Sequence, residues 1–380
     1  MAEKIKVLMS LNSLGMGGNV IFVMNFFRHI DKNKYHIDFL IYDDSRMDFY
    51  EEIRAAGSRV FVAKRNCKNK YLNLLAQMRE VKKVLSKNHY DIIHCHSCSF
   101  VGIFKGAVPG FFTKGTRVIS HAHSLGTPKH TLIDNFIRMC SKIFLSIIVD
   151  MGFSCSDYAG ESKYTQKFMQ GKRYAIIHNA VESEKYQFDF EKRKKIRNRI
   201  NADDKKVIGN VGRLAKEKNQ TFLIDIFAEI KKVDPQTMLL IIGGGELETM
   251  LKDKVKKQCL ENDVFFTGSI CDVEDYYSAM DVFVMPSLYE GLPFTAIEAQ
   301  VNGLKCIISE VVTKMANVSG DTVFISLDTS PKKWGDVILA QAESRTVPEK
   351  VKKVQEEYDL KNEAKRLEQL YLNCITKNRR

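Results

Sequence analysis

The sequence predicts an α/β protein built from two Rossmann-like β/α/β domains. The chain has 380 residues, which is more than one ordinary domain contains. Short apolar or β-branched runs alternate with helix-length amphipathic stretches, and the alternation is interrupted by a charged stretch at residues 182–206 before it resumes. Such alternation is typical of a parallel sheet covered by helices on both faces. Two series of strands therefore indicate two sheets.

The predicted strands and the interruption between them define the domain boundaries. We expect a first domain at residues 1–178, a second at residues 179–358, and a C-terminal helix at residues 359–380 that packs back on the first domain. Residues 174–184 are the predicted crossover. The first series of predicted strands is residues 5–11, 37–42, 60–62, 92–96 and 118–121, and the second is residues 207–211, 238–242, 264–267, 282–285 and 306–309.

The composition indicates a folded protein of the cytosol. Hydrophobic residues make up 44% and charged residues 27% of the chain, as in ordinary globular proteins. The first eleven residues carry charges and lack the apolar stretch of a signal peptide. The nine cysteines are scattered, without the spacing of a disulfide framework. No apolar run reaches the roughly 18 to 20 residues that a membrane-spanning helix needs.

The positive charge is concentrated in the first half of the chain. Residues 1–180 contain 26 Lys and Arg against 14 Asp and Glu, and this excess equals the net charge of +12. No common nucleic-acid-binding motif is present, so we do not expect a nucleic acid partner. Residues 100–114 and 132–149 are apolar with flanking lysines. They are either core helices or a surface that rests on the inner face of the cell membrane, where a lipid-linked acceptor is held.

The segment MPSLYEGLPFTAIEAQVNG, residues 285–303, carries the clearest chemistry. A predicted strand ends in a loop with Glu290, and Pro293 stands where a helix begins. The free amides at that helix start could bind an anion. Glu290 and Glu298 are separated by seven residues, and both could reach a polyhydroxyl ligand.

This segment resembles the Glu, seven residues, Glu motif of retaining glycosyltransferases of the GT-B fold, family 4. Upstream, NVGRLAKEKNQTFLIDIF, residues 210–227, is similar to a stretch of that family with an Arg in the loop after a strand and a Lys five residues later, here Arg213 and Lys218. The resemblance implies two Rossmann-like domains that face a cleft. It also implies transfer of a sugar, from a UDP-sugar by preference, during assembly of bacterial capsules and exopolysaccharides. The acceptor would be a glycan or a polyprenyl-diphosphate-linked sugar.

The resemblance also implies roles for individual residues. Arg213 and Lys218 would stabilise the departing diphosphate, while Glu290 would hold the sugar and Glu298 the ribose. His123 would orient the sugar, and together with Arg213, Lys218 and Glu290 it forms the expected catalytic set. The expected donor-binding set is Gly17, Gly18, Gly243, Gly244, Ser269, Ile270, Glu290, Gly291, Leu292, Pro293, Phe294 and Glu298.

We expect no metal and no cofactor. No two aspartates are two positions apart, as they are in the Asp-x-Asp motif of metal-dependent nucleotide-sugar enzymes. The histidines of HCHSC, residues 94–98, and HAH, residues 121–123, suggest zinc by composition, but no acidic partner follows in an HExxH frame. ISHAHS resembles the family segment whose strand-end histidine contacts the donor sugar. His123 fits that position best and His121 second.

Two departures and two alternatives accompany this hypothesis. Val20 stands two residues after the Gly17–Gly18 pair, where the family commonly has a Glu, and Lys305 stands where many relatives have a proline. A nucleotide-sugar epimerase or phosphorylase could share the fold. A non-catalytic scaffold that binds a membrane or a partner enzyme is the second alternative.

Overall fold

A computed structural model describes residues 3–64, 69–123, 131–270 and 272–376. The chain divides into two compact units. Unit 1 comprises Met1–Asn179 and Leu360–Arg380, and unit 2 comprises Ala180–Asp359. Each unit has its own parallel sheet, which confirms the predicted α/β class with two Rossmann-like folds.

Unit 1 has a sheet in which the described residues form seven parallel strands in the order β3-β2-β1-β4-β5-β6-β7. The strands are β1 (Ile5–Leu11), β2 (Tyr35–Ile41), β3 (Val60–Val62), β4 (Ile92–His96), β5 (Arg117–Ala122), β6 (Met151–Ser154) and β7 (Tyr174–Ile176). The helices between them are α1 (Gly18–His29), α2 (Tyr50–Ala55), α3 (Lys70–Asn88), α4 (Phe100–Phe111), α5 (Leu132–Ile148), α6 (Asp157–Lys163) and α7 (Gln166–Met169).

Unit 2 repeats the design with six parallel strands, ordered β10-β9-β8-β11-β12-β13, among its described residues. The strands are β8 (Lys206–Val211), β9 (Thr237–Ile242), β10 (Val264–Phe266), β11 (Val282–Met285), β12 (Lys305–Ser309) and β13 (Val323–Ile325). The helices are α8 (Ser183–Tyr186), α9 (Phe190–Arg199), α10 (Gln220–Val233), α11 (Glu248–Lys257), α12 (Val273–Ala279), α13 (Phe294–Val301), α14 (Pro331–Gln341) and α15 (Pro348–Glu357).

The last helix, α16 (Leu360–Thr376), belongs to unit 1. Its Tyr371 is fully buried. The Tyr35 hydroxyl donates to the Glu368 carbonyl at 2.9 Å, and the His178 amide donates to Glu363 Oε1 at 2.7 Å. These bonds connect α16 to β2 and to the segment that follows β7.

The sequence pattern locates ten of the thirteen strands that the described residues form. The predicted strands of both series correspond to β1–β5 and β8–β12 with shifts of at most two residues at their ends. β6 and β13 were not among the predicted strands, and β7 lies inside the predicted crossover. These strands have three or four residues each, so the apolar pattern that marks them is short, although the equally short β3 and β10 were located. Within the described ranges, no helix combines the length and apolar character needed to cross a bilayer.

Candidate functional site

The centre of the unit 2 sheet positions the residues of the Glu, seven residues, Glu segment. β8 and β11 are neighbours with parallel pairing, Val282 opposite Ile208. After β8 the chain continues to β9, which lies on one side of this central pair. After β11 it continues to β12, which lies on the other side. Ligands of open α/β sheets bind at such a switch point, beyond the carboxyl ends of the strands. The loops that follow β8 and β11 therefore border the site.

Two hydrogen bonds join these loops directly. The Leu288 amide donates to the Glu217 carbonyl at 2.8 Å. The Asn219 side-chain amide donates to the Pro286 carbonyl at 3.1 Å. Asn219 has a φ of 56°, in the left-handed region, at the start of α10. This geometry turns the short 3-10 segment with Lys218 toward the β11 loop.

Lys218 and Glu290 form an ion pair between the two loops. The Lys218 Nζ donates to Glu290 Oε1, and the Ser287 hydroxyl reaches the same oxygen at 3.4 Å. The Lys218 and Glu290 side chains are only 21% and 16% exposed. Partial burial makes such a pair stronger than one at the surface. Two sequence-predicted residues, 72 positions apart, are thus in direct contact.

Arg213 lies in the same loop and presents its guanidinium to solvent. Its side chain is 57% exposed, and Nη2 donates to Glu217 Oε1. That bond raises the pKa of Arg213 above its ordinary value. Gln220 stabilises the loop, because its Nε2 donates to the Arg213 carbonyl at 3.1 Å. A guanidinium has five N–H donors, so the bond to Glu217 leaves others for an anion.

Glu298 occupies a different environment from Glu290. It lies on α13 with 8% exposure, and the Tyr277 hydroxyl donates to its Oε2 at 2.6 Å. Burial raises the pKa of the Glu298 carboxyl to about 7, although hydrogen bonds from Tyr277 and Tyr186 oppose the rise. Glu298 therefore keeps its proton to a higher pH than an exposed glutamate does.

The start of α13 offers backbone donors. Pro293 is the N-cap, with φ −75° and ψ 124°, and the helix begins at Phe294, one residue later than predicted. The Ala296 amide bonds to the Pro293 carbonyl. The first amides of a helix have no acceptor within it and carry the positive end of its dipole. Gly291, Leu292 and Pro293 are buried in front of this helix start.

The glycine turn after β9 packs closely against the loop that contains Arg213. Gly243 has a φ of +132°, and a Cβ there would come within 2.1 Å of the Gly212 carbonyl oxygen. The Leu214 amide donates to the Gly244 carbonyl at 3.0 Å. A Cβ at Gly244 would meet the Ser269 hydroxyl at 2.7 Å, so these two predicted residues are neighbours. Ser269 is exposed and Ile270 half-buried.

The glycine pair of unit 1 begins α1. Gly17 is the N-cap, and a Cβ at Gly18 would meet nothing within 4 Å. Packing therefore does not require glycine at position 18, which leaves an open approach to the helix start. Val20 is 3% exposed in the core of unit 1. An apolar side chain here packs inward and supplies no polar contact for an acceptor.

Four histidines form a buried cluster at the ends of two neighbouring strands in unit 1. β4 and β5 pair in parallel with His96 opposite His121. His94 and His96 share one face of β4, because side chains two residues apart point the same way, and His121 and His123 do so at the end of β5. Ring centroids lie 4.0 Å apart for His94 and His96 and 4.3 Å for His121 and His123.

Only His123 of the cluster keeps partial exposure. His94 and His121 are fully buried and His96 is 2% exposed, whereas His123 is half-buried. His123 Nε2 and His96 Nδ1 are 2.9 Å apart, in hydrogen-bond contact. Burial lowers the pKa of His123 to about 3 and the pKa of the other three well below the ordinary value. All four rings are therefore neutral at physiological pH.

Several partners of the predicted residues carry no signal in the sequence. Glu217 and Ser287 are ordinary loop residues until the fold brings them to Arg213 and Glu290. Tyr277 has the appearance of a core aromatic, and only the packing of α12 against α13 reveals its bond to Glu298.

Comparison with protein families matches two models that together span most of the chain. The model "Glycosyl transferases group 1" matches residues 192–357, in unit 2. The model "Glycosyltransferase Family 4" matches residues 16–185, nearly all of it in unit 1.

Curated relatives and solved structures agree with these matches. The candidate glycosyltransferase EpsF of Bacillus subtilis (strain 168) is 29% identical over 351 residues, 89% of this chain and 88% of that protein. The UDP-Gal:alpha-D-GlcNAc-diphosphoundecaprenol alpha-1,3-galactosyltransferase of Escherichia coli is 28% identical over 276 residues, 67% of this chain and 66% of that protein. Anabaena HepE in complex with UDP-glucose superposes with a TM-score of 0.78 at 17% identity, over 97% of this chain and 100% of that one. Because the identity to HepE is only 17%, that comparison shows a shared fold and nothing more.

The raised pKa of Glu298 predicts a pH-dependent stability of unit 2. The folded pKa of about 7 exceeds the ordinary value of 4.5, so the folded state holds a proton between these values that the unfolded state has lost. Stability therefore decreases as pH rises from 4.5 to about 7, by roughly 2–4 kcal/mol in total. Glu298→Gln removes this decrease and makes unit 2 more stable than the wild type above neutral pH.

Urea unfolding at a series of pH values, followed by fluorescence, measures this effect. The single tryptophan, Trp334, is fully buried in unit 2 and reports its unfolding. Glu310→Gln, at an exposed glutamate of the same unit, is the matched control. Parallel pH profiles for the wild type and Glu298→Gln would contradict the prediction.

Proposed function

The chain belongs to the family 4 glycosyltransferases, and we propose that it transfers a sugar from a nucleotide diphosphate sugar to a growing bacterial polysaccharide with retention of anomeric configuration. The observation that carries the proposal is the contact between Lys218 and Glu290 beside Arg213. A cation for the leaving diphosphate and an acceptor for sugar hydroxyls lie at one strand-end site.

The diphosphate leaving group would be stabilised by Arg213, Lys218 and the start of α13. Negative charge grows on the departing phosphate as the glycosidic bond breaks, and fixed donors lower the energy of that state more than that of bound substrate. Lys218 is held by its ion pair, and Arg213 has donors free of Glu217. These cations act without a divalent ion, so we propose that transfer is metal-independent and needs no cofactor.

The sugar and the ribose would contact different carboxyl groups. Glu290 accepts hydrogen bonds from sugar hydroxyls with the oxygen that Lys218 and Ser287 do not occupy. Glu298, whose pKa is raised by burial, accepts from one ribose hydroxyl when ionised and donates when protonated. Gly243, Gly244, Ser269 and Ile270 border the nucleotide base, as the loops after β9 and β10 are the neighbours of the Arg213 loop.

His123 would orient the sugar as a neutral imidazole. It is the partly exposed member of the histidine cluster, and its low pKa excludes the role of a cationic acid. A hydrogen bond from this ring fixes one sugar hydroxyl. No carboxylate has an assigned role as nucleophile, so front-face transfer, with the leaving phosphate taking the acceptor proton, is the proposed route to retention.

A UDP-sugar and a polyprenyl-diphosphate-linked acceptor are the proposed substrates. The Escherichia coli relative is named for both, a UDP-galactose donor and a diphosphoundecaprenol-linked acceptor. Gly17 and Gly18 open α1 with amides that suit a diphosphate. Because Val20 is buried and apolar, acceptor specificity rests on other residues of unit 1.

An acceptor of this kind lies in a membrane, and α5 provides a surface to meet it. The exposed side of the helix is almost entirely apolar and flanks the partly buried Arg138 and Lys142. Phe104 of α4 packs edge-on against Phe144 at 5.4 Å, so α4 supports this helix. The apolar face of α5, each residue at least 44% exposed, consists of Leu132, Ile133, Phe136, Ile137, Met139, Ile143, Phe144 and Ile147.

The charge of unit 1 fits an anionic membrane. Unit 1 contains 32 Lys and Arg against 16 Asp and Glu, whereas unit 2 contains 26 against 30. An amphipathic helix lies in the interface plane with its apolar face among the lipid chains, and basic residues add about 1 kcal/mol each near anionic headgroups. We propose that unit 1 rests on the inner face of the cell membrane through α5.

Lys218→Gln tests the role of the cations. Loss of one preorganised charge at the leaving group lowers kcat by roughly 100-fold or more, with a smaller change in KM. The assay is nucleotide release from a panel of UDP- and GDP-sugars, with and without lipid-linked acceptor. Lys216→Gln, at an exposed lysine of the same turn, keeps wild-type kcat. Equal kcat in both variants would rule out the role of Lys218.

Metal independence has a separate test. The initial rate of transfer in EDTA equals the untreated rate, because protein cations neutralise the diphosphate. Magnesium or manganese added in excess over EDTA leaves that rate unchanged. A loss of activity in EDTA that magnesium restores would contradict this part of the proposal and leave the Lys218 result untouched.

Membrane binding is tested by flotation with phosphatidylglycerol vesicles. The triple variant Ile133→Glu, Phe136→Glu, Ile137→Glu stays at the bottom of the gradient while the wild type floats, because three charges cannot enter the lipid interface. Val233→Glu, at a 63% exposed position of unit 2, floats as the wild type does. Flotation of the triple variant, or none of the wild type, would exclude α5 as the membrane contact.

A further inference from the structure

The histidine cluster of unit 1 has the geometry of a metal site. One ring nitrogen each from His94, His96 and His121 can be chosen so that all three lie within 4.8 Å of one another. The parallel pairing of β4 and β5 creates this arrangement, because it brings the two His-x-His motifs to the same edge of the sheet. Within the described ranges, no other group of three His, Cys, Asp or Glu residues meets this criterion.

Four ring nitrogens of the cluster lack hydrogen-bond partners among the described residues. They are His94 Nε2, His96 Nε2 and both nitrogens of His121, and all are buried. Burial of a polar group without a partner costs free energy, and most such groups in folded proteins have one. One nitrogen of each neutral ring holds a lone pair, so three unpartnered lone pairs in one place indicate a ligand that accepts them.

The opposite nitrogens of two rings are already held. His94 Nδ1 is 2.6 Å from the Tyr371 hydroxyl, and His96 Nδ1 is 2.9 Å from His123 Nε2. When Nδ1 carries the proton and donates it, the lone pair of the same ring is at Nε2, the atom that has no partner among the described residues. Metal-binding histidines are commonly oriented in this way by a bond from the second nitrogen.

We propose that His94 Nε2, His96 Nε2 and one nitrogen of His121 bind a divalent transition metal ion, with Zn²⁺ as the best fit. Three imidazoles without a carboxylate favour zinc, copper or nickel over magnesium or calcium. Zinc–nitrogen bonds of about 2.0–2.1 Å in a tetrahedral site place the nitrogens roughly 3.4 Å apart, so the rings close by about an ångström on binding. A water or hydroxide completes the four ligands.

This site is separate from the diphosphate chemistry proposed for unit 2. Its ligands belong to β4 and β5, and the histidine proposed to contact the donor sugar is their neighbour His123. A zinc ion there stabilises the strand ends of unit 1. It could be present whether or not transfer itself needs a metal, so the two proposals fail independently.

Cobalt binding to the full-length chain tests the site. After removal of bound metal, one equivalent of Co²⁺ gives visible d–d absorption of a tetrahedral nitrogen and oxygen site, without the sulfur charge-transfer band that a cysteine site gives. Zn²⁺ displaces the cobalt and raises the Tm of the wild type. His121→Phe keeps an aromatic ring between Phe22 and Phe153 and removes both nitrogens, so it loses the absorption and the Tm shift.

Two further variants make the result decisive. His89→Asn, at an exposed position with φ 53°, keeps wild-type metal binding. Tyr371→Phe keeps all the ligands and loses the hydroxyl that orients His94, so it weakens metal affinity about 10–100-fold. A wild type that binds no metal, binding that survives in His121→Phe, or a sulfur charge-transfer band as the main feature would overturn the proposal.

Discussion

The parallel pairing of neighbouring strands is the constraint on which both sites depend. Parallel strands end at the same edge of a sheet, so the loops after β8 and β11 meet although they are far apart in sequence. The same rule brings the ends of β4 and β5 together in unit 1. Each pairing converts two separate motifs into one group of side chains. In unit 2 the result is a charged group, and in unit 1 it is a group of neutral rings.

The charged group of unit 2 is organised by contacts within unit 2 itself. Lys218 is paired with Glu290, and Arg213 with Glu217, so neither cation has to be ordered during the reaction. Preorganisation of this kind supplies much of the electrostatic stabilisation in enzymes. The two ion pairs also lower the net positive charge of this group of residues. On the proposed function, a diphosphate would replace part of an existing ion pair, and the additional donors of Arg213 and of the α13 start would favour its binding.

The sequence pattern identifies strands and residues that a short stretch of sequence marks. It misses properties that arise only when distant elements pack together. The long central strands, Arg213, Lys218 and Glu290 follow from apolar runs and a motif that resembles one family. The environment of Glu298 does not, because its raised pKa depends on burial and on two tyrosines from other elements. Gly243 was expected to let a nucleotide approach, and its packing requirement comes from the Gly212 carbonyl. The four histidines were visible as two motifs, but their meeting required the register of β4 with β5.

One hydrogen bond connects the two roles argued for the histidine cluster. The hydrogen bond between His96 Nδ1 and His123 Nε2 holds a single proton, which either nitrogen can carry. A metal at His96 Nε2 requires the lone pair there, so the proton belongs to Nδ1 and His123 Nε2 accepts it. His123 then carries its own proton at Nδ1 and can only donate from that atom. A metal at His96 would thus favour, without being required for it, the tautomer in which His123 Nδ1 donates to a sugar oxygen on the proposed function.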